Sequence, residues 1–141
     1  MRQFNVFVAN RVGGLLDVVR RFEQSDNHIV SLTVIDTADC AIIRMVLSYP
    51  ERAAETFNLA KLPYTESDLL VVELPDGNQP LLQICKTLLA TEMHIHYAYP
   101  LFIDGPMRTS AIALHVEDHE TAMRVLEGRG FRLLSENDLQ G

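Results

Sequence analysis

The first half of the chain alternates between strand-like and helix-like apolar patterns. Residues 4–9 are apolar at nearly every position, which is typical of a strand covered on both faces. From Gly14 to about Asp26 the spacing becomes i, i+3, i+4, i+7, the pattern of an amphipathic helix, at Leu15, Val18, Val19 and Phe22. Residues 28–35 and 41–48 are apolar, β-branched segments joined by a turn-forming stretch at residues 36–39, and they predict a hairpin.

A second helix and a short strand complete the first pattern. Pro50 stands where a helix tolerates proline, in its first turn, ahead of apolar residues at helical spacing. Residues 63–67 form a short final strand in this prediction, and another apolar strand begins at Asp68. The predicted order is therefore strand, helix, strand, strand, helix, strand.

The second half of the chain repeats the first. Leu15-Leu16 aligns with Leu81-Leu82, and His28-Ile29 with His94-Ile95, at a spacing of 66 residues. Beyond the hairpin turn the best spacing is 70, which implies four inserted residues near positions 104–108, since turns absorb insertions that strands cannot. We therefore predict an α+β protein of two tandem ferredoxin-like βαββαβ units, residues 1–67 and 68–141, each an antiparallel sheet covered by two helices.

The joint between the first strand and the first helix is the strongest candidate for a binding loop. It consists of Asn10, Arg11, Val12, Gly13, Gly14 and Leu15. A glycine pair lets the backbone turn sharply and leaves unpaired N–H groups at the helix start open to a small anion such as a carboxylate. The same glycines are also compatible with a turn that binds nothing.

These features together resemble a known family. A unit of about seventy residues with Asn-x-x-Gly-x-Leu at its first strand–helix joint and a His-Ile strand after its first helix is similar to an ACT domain. The whole chain, residues 3–139, resembles free-standing tandem ACT proteins. The resemblance implies that an amino acid binds at the loop, where it meets a neighbouring ACT unit, with Asn10 and Gly13 matching the family pattern. The second copy departs from that pattern, with Gln79 in the glycine's place and Pro80 at the helix start.

The chemistry of an amino acid suits the first loop. Its carboxylate needs N–H donors, which the Gly13-Gly14 turn supplies, and its ammonium needs oxygen acceptors such as the Asn10 side chain or loop carbonyls. Arg11 either adds a charge for the carboxylate or is a solvated loop residue. Ile95 and Tyr97, on an expected edge strand of the second copy, either approach this loop or belong to an ordinary core.

Composition excludes several other functions. The net charge is −7 and the twelve basic residues are spread thinly, so neither nucleic acid nor anionic lipid is an expected partner. The apolar segments are too short to span a membrane, and the chain enters a strand without a signal peptide, so we expect a cytoplasmic protein. Two cysteines without ligand spacing and histidines without a third ligand predict no metal and no cofactor.

The leading hypothesis is a non-catalytic regulatory protein that binds an amino acid. The alternative is a regulatory subunit whose main task is contact with an amino-acid biosynthetic enzyme such as acetolactate synthase, and a small enzyme on a ferredoxin-like scaffold is a third class. No nucleophile or phosphate-loop motif supports catalysis. Apolar residues on both strand faces further predict a homodimer, or packing of one sheet on the other. These residues are Phe7, Ala9, Leu32, Val34 and Val71.

Overall fold

The computed structural model describes residues 1–9, 13–103 and 109–139. Its backbone groups into two units, Arg2–Ser67 and Asp68–Leu139, with Met1 joining the second. The first unit contains β1 (Arg2–Ala9), α1 (Gly14–Val19), β2 (Ile29–Asp36), β3 (Cys40–Leu47), α2 (Pro50–Leu59) and β4 (Tyr64–Asp68). The second contains β5 (Leu70–Glu73), α3 (Pro80–Leu89), β6 (Ile95–Ile103), β7 (Thr109–Val116), α4 (His119–Gly128) and β8 (Leu133–Leu134).

Both units have the same strand order. The first sheet runs β2-β3-β1-β4 and the second β6-β7-β5-β8, so each central pair is formed by the first and third strands of its unit. The sheets are antiparallel, and two helices accompany each of them. The predicted α+β class and the two ferredoxin-like βαββαβ units are confirmed. None of the helices in the described ranges is long and apolar enough to cross a membrane.

The core of the first unit is aromatic. Alternate residues of β1 and β3 face the helices, where they meet Val18, Phe22, Ala53 and Phe57. Phe57 of α2 is fully buried, and its ring lies 5.4 Å from Phe4, 5.6 Å from Phe22 and 5.5 Å from Tyr64, measured between centroids. The first two pairs are edge-to-face, a favourable arrangement for aromatic quadrupoles. This cluster fixes α1 and α2 against the sheet.

The second core shows that the predicted repeat spacing was wrong by one residue. Ala122 and Leu126 of α4 occupy the places of Ala53 and Phe57, a spacing of 69 rather than 70. The alignment at 70 paired Ile42 with Ile112, yet Ile42 lies opposite Phe7 on the face away from the helices, whereas Ile112 packs against the helix-side core. A shift of one residue reverses the face of every side chain in a strand. The second hairpin therefore carries three additional residues, not four.

Helix α1 is shorter than the apolar pattern predicted. It ends at Val19 and continues as a 3₁₀ turn over Arg20–Phe22, which still places Phe22 in the core. Residues 23–27, which follow this turn, are polar, and Asn27 among them forms hydrogen bonds with the backbone of Tyr49. Asn27 is buried, and its amide group donates to the Tyr49 carbonyl (2.8 Å) and accepts from the Tyr49 N–H (2.8 Å). These hydrogen bonds connect the segment after the 3₁₀ turn to the junction between β3 and α2.

The edge strand β2 carries exposed apolar side chains on the helix side of its sheet. Leu32 and Val34 lie opposite Met45 and Ile43, so they belong to the helix side of the sheet. They are 39% and 46% exposed because the helices do not extend over this edge. Leu32 and Val34 therefore leave apolar surface at the sheet edge, and the homodimer stays a prediction.

Candidate functional site

Gly13 has a backbone conformation that favours glycine. Its φ is +89°, in the left-handed region, and it directly precedes α1. Its carbonyl accepts a hydrogen bond from the Asp17 N–H at 3.0 Å, which begins the helix. A Cβ at Gly13 would meet nothing within 4 Å. The constraint at this position is therefore conformational, and the adjoining space is open.

Gly14 is required for a different reason. It is buried, and a Cβ there would lie 3.2 Å from the Ala9 carbonyl oxygen and 3.7 Å from Val8 Cγ2. The start of α1 thus passes close to the end of β1. Both glycines are explained by the local backbone, so evidence for binding must come from the space around the turn.

A cleft of about 300 Å³ opens on the side of this turn towards β2 and β3. We call it the Asp36 cleft. Its walls are mostly apolar, and Asp36 at the end of β2 contributes the one carboxylate in a lining that includes Gly14, Leu15, Val34, Asp36, Ala41 and Ile43. Leu15 is 38% exposed, which leaves its side chain available to a ligand. The cleft can accept an ammonium group at Asp36 and an apolar group beside Leu15 and Val34.

A larger cleft of about 480 Å³ lies on the other side of the turn, towards the start of β4. We call it the arginine cleft. Val8, Val18 and Leu62 form its apolar part, β1 also lines it at Phe7, and Asp17, Arg20 and Arg21 supply its charges. The two clefts share Val8, Ala9 and Gly14, so the end of β1 separates them.

The predicted site residues are only partly described. Asn10, Arg11 and Val12 lie outside the described residues, whereas Gly13, Gly14 and Leu15 form the turn and the helix start. Sequence reasoning did not include Asp36, Arg20 or Arg21. Strand alternation could have indicated Asp36, because it follows Val34 by two residues and shares its face. No sequence signal links the two arginines to Leu62.

Ile95 and Tyr97 of β6 face opposite sides of their sheet. An irregularity between them pairs Ile95 with Val116 and Tyr97 with His115. Ile95 packs against the helix-side core, while the Tyr97 ring stacks on Tyr99 at 6.3 Å. The same irregularity occurs in β2 after Ile29, so it belongs to the repeated unit. The role of Ile95 and Tyr97 in ligand binding stays a prediction.

The corresponding joint of the second unit has a different backbone. Gln79 precedes α3 with a φ of −137°, and Pro80 is the first helical residue. The positive φ falls two residues earlier, at Gly77 (+133°). The second joint therefore lacks the left-handed turn that Gly13 provides next to the helix.

Three histidines form a cluster on β6 and β7. The rings of His94 and His96 are 4.8 Å apart, and those of His96 and His115 are 5.2 Å apart. In the part of the chain that the structure describes, no group of three or more histidine, cysteine or acidic residues is arranged to hold a metal ion. The cluster is an aromatic contact between neighbouring strands.

The family model for the ACT domain pair matches residues 1–140. The chain belongs to this family. Its ACT pair is a regulatory fold rather than a catalytic one. Among curated proteins, none matches this sequence.

Solved structures show the same fold. Protein BT0572 from Bacteroides thetaiotaomicron superposes with a TM-score of 0.85 at 20% identity, covering 98% of this chain and 94% of that one. The ligand-free regulatory subunit of aspartate kinase from Thermus thermophilus gives a TM-score of 0.58 at 14% identity, covering 90% and 91%. The corresponding subunit from Thermus flavus gives 0.53 at 12% identity, covering 90% of each chain. At these identities the likeness concerns the fold alone.

Proposed function

We propose that this ACT pair is a non-catalytic regulatory protein that binds a free amino acid in the Asp36 cleft. Membership of the ACT family supports the regulatory role. The observation that carries the proposal is the cleft itself, since it joins the Gly13-Gly14 turn to a carboxylate and an apolar wall within about 300 Å³. That volume lies at the lower end of the range for small-ligand pockets.

Each part of an amino acid finds a complementary group there. The ammonium pairs with the Asp36 carboxylate, and an apolar side chain packs beside Leu15 and Val34. N–H groups of the turn bind the carboxylate, and Asn10 and Arg11 complete the site in this proposal, with Val12 beside them. A zwitterion is favoured over a simple cation because the turn offers donors close to the acidic group.

The assembly we propose is a homodimer that acts in the cytosol. The exposed Leu32 and Val34 support it, because they stand on β2, the edge strand of the first sheet. An edge strand presents unpaired backbone groups as well as side chains, and a second copy satisfies both. Size-exclusion chromatography with light scattering tests this point, and a monomer at micromolar concentration would contradict it.

A second candidate function is control of an enzyme of amino-acid biosynthesis through direct contact. The fold likeness to the regulatory subunit of aspartate kinase favours this class of partner. Acetolactate synthase was the example expected from the sequence, and any such enzyme remains a proposal. Co-purification from cells that express a tagged chain separates the two functions, because an amino-acid sensor without an enzyme partner elutes alone.

Thermal unfolding with each of the twenty amino acids tests the main proposal. A ligand at 100 times its Kd should stabilise the fold by about 2.7 kcal/mol, which raises Tm by several degrees. Asp36→Asn should remove most of that shift, since it deletes the charge that pairs with the ammonium. Asp39→Asn is the matched control, because Asp39 is also exposed and close to the same hairpin turn but does not line the cleft. An unchanged shift in Asp36→Asn would refute the proposed site.

A further inference from the structure

The arginine cleft contains two cations that the fold does not use. Arg20 and Arg21 are exposed, and neither forms an ion pair with any residue in the described ranges. Both line the cleft together with the apolar residues Val8, Val18 and Leu62, which belong to the helix side of the sheet. Surface arginines are usually solvated, so their position against an apolar cavity is the feature that requires an explanation.

The second unit contains the equivalent cleft, which makes a comparison possible. In the first unit the Phe7 N–H donates to the Pro63 carbonyl at 3.0 Å. In the second unit the Glu73 N–H donates to the Arg132 carbonyl at 2.9 Å, at the spacings of 66 and 69 residues that relate the two units. A cleft of about 220 Å³ lies beside this bond, less than half the volume of the arginine cleft.

One arginine of the second cleft, Arg132, is held in ion pairs, while Arg129 lines the same cleft without one in the described residues. Arg132 lies 3.6 Å from the Glu73 carboxylate and 3.1 Å from the Asp138 carboxylate. The corresponding positions beside the arginine cleft are Phe7 and Pro63, which carry no charge. The Glu73–Arg132 ion pair therefore has no counterpart at Phe7 and Pro63.

We propose that the arginine cleft is a second binding site, separate from the Asp36 cleft, for a small organic anion with an apolar body. Arg20 and Arg21 bind its carboxylate or phosphate group, because the planar guanidinium matches both anions in bidentate geometry. The apolar body packs on Val8, Val18 and Leu62. Asp17 brings one negative charge against two positive ones, so the cleft keeps a net positive charge. It therefore prefers a net anion to a zwitterionic amino acid.

Isothermal titration calorimetry with small aromatic probes tests this site. Phenyl phosphate and benzoate are the two anions. The one that binds with the lower Kd identifies the preferred anionic group. Benzyl alcohol lacks the charge, and inorganic phosphate lacks the apolar body. Phenylalanine is the zwitterion, and it is titrated into Asp36→Asn so that the proposed amino-acid site does not contribute. We expect at least one anion to bind at least about tenfold more tightly than all three of these comparison compounds.

Substitutions at the two arginines test whether the anion binds in the arginine cleft. The double variant Arg20→Gln/Arg21→Gln should weaken binding of the anion at least about tenfold. Arg129→Gln, which changes an exposed arginine of the second cleft, is the matched control and should bind as the unmodified protein does. Asp36→Asn should leave binding of the anion intact, because Asp36 does not line the arginine cleft. The same variant should lose amino-acid binding, so the two proposals can fail independently. Circular dichroism confirms that each variant is folded.

Three results would overturn the proposal. They are the absence of binding by both anions at millimolar concentration, equal binding by any of the three comparison compounds, and unchanged binding by the double arginine variant. Loss of binding in Arg129→Gln with retention in the double variant would place the anion in the second unit instead.

Discussion

Replacing Gly13 by alanine tests whether the turn before α1 is held in the left-handed region. The φ of +89° is one that L-residues rarely adopt, while the space around the missing Cβ is open within 4 Å. Any loss of stability in Gly13→Ala must therefore come from backbone strain and not from a clash. This makes the substitution a direct measurement of the conformation.

The magnitude follows from two opposing effects. Holding an L-residue in the left-handed region costs roughly 1–2 kcal/mol. Alanine also restricts the unfolded chain, which returns roughly 0.4–1 kcal/mol to the folded state. We therefore expect Gly13→Ala to lower the free energy of unfolding by about 0.5–1.5 kcal/mol.

Two other glycines provide matched controls. Gly130 also has a positive φ (+84°) and open space around it, so Gly130→Ala should show a similar loss. Gly128, at the end of α4, has open space without a positive φ, so Gly128→Ala should be neutral or stabilising. The three variants together separate backbone strain from a general effect of alanine.

Urea denaturation followed by circular dichroism measures these differences. The midpoint should fall for Gly13→Ala and Gly130→Ala while the slope with urea concentration stays constant. If Gly13→Ala is as stable as the unmodified protein and Gly130→Ala is not, the turn before α1 does not need the left-handed conformation. Gly13→Gln should then be compared with Gly13→Ala, since both carry the same strain and only glutamine extends towards a ligand.

Three further predictions concern the core, a buried amide and pH. Phe57→Ala should lower the free energy of unfolding by about 3–5 kcal/mol because it removes a fully buried ring with three aromatic neighbours; urea denaturation measures it, and Phe57→Leu should cost clearly less. Asn27→Ala should cost about 1–3 kcal/mol in the same assay, since it leaves the Tyr49 backbone groups unpaired. Hydrogen bonds from Thr121 lower the pKa of Asp118 below its unfolded value, so this stabilisation is present above the unfolded pKa and is lost as pH falls through the folded pKa. Thermal unfolding should show a shallower acid dependence in Asp118→Asn, and an identical dependence would contradict the argument.

Periodicity predicted the strands well because alternation reports directly which residues a sheet buries. The hairpin segments 28–35 and 41–48 match β2 and β3 within one residue. The length of the second hairpin turn could not be obtained in the same way. Ala-Ile occurs at 41–42 and again at 111–112, and this local similarity favoured a spacing that reverses the strand face. The positions of the core residues and the pairing of β5 with β7 distinguish 69 from 70.

Sequence reasoning also predicted the turn but not the spaces beside it. Glycine at positions 13 and 14 is a local property, so it is visible in the sequence. The arginine cleft depends on Phe7 and Leu62, which are distant in the chain and meet only through the order of the strands. From the sequence alone, Arg20 and Arg21 are indistinguishable from other solvated residues of a polar helix face. Only the fold shows that they line the same cleft as Leu62.

The two units differ at the strand–helix joint and beside it, as well as in the length of the hairpin and in the side chains of the core. The cores keep the same positions apolar, and both edge strands keep the same irregularity. At the joint, by contrast, Gly13 becomes Gln79, and beside it Phe7 becomes Glu73. Proline at the start of α3 removes an N–H group, and the Glu73–Arg132 pair spans a smaller cleft. The fold accommodates either version. Ligand binding confined to the first unit, as proposed above, would account for the difference, and calorimetry should then give about one amino acid per chain.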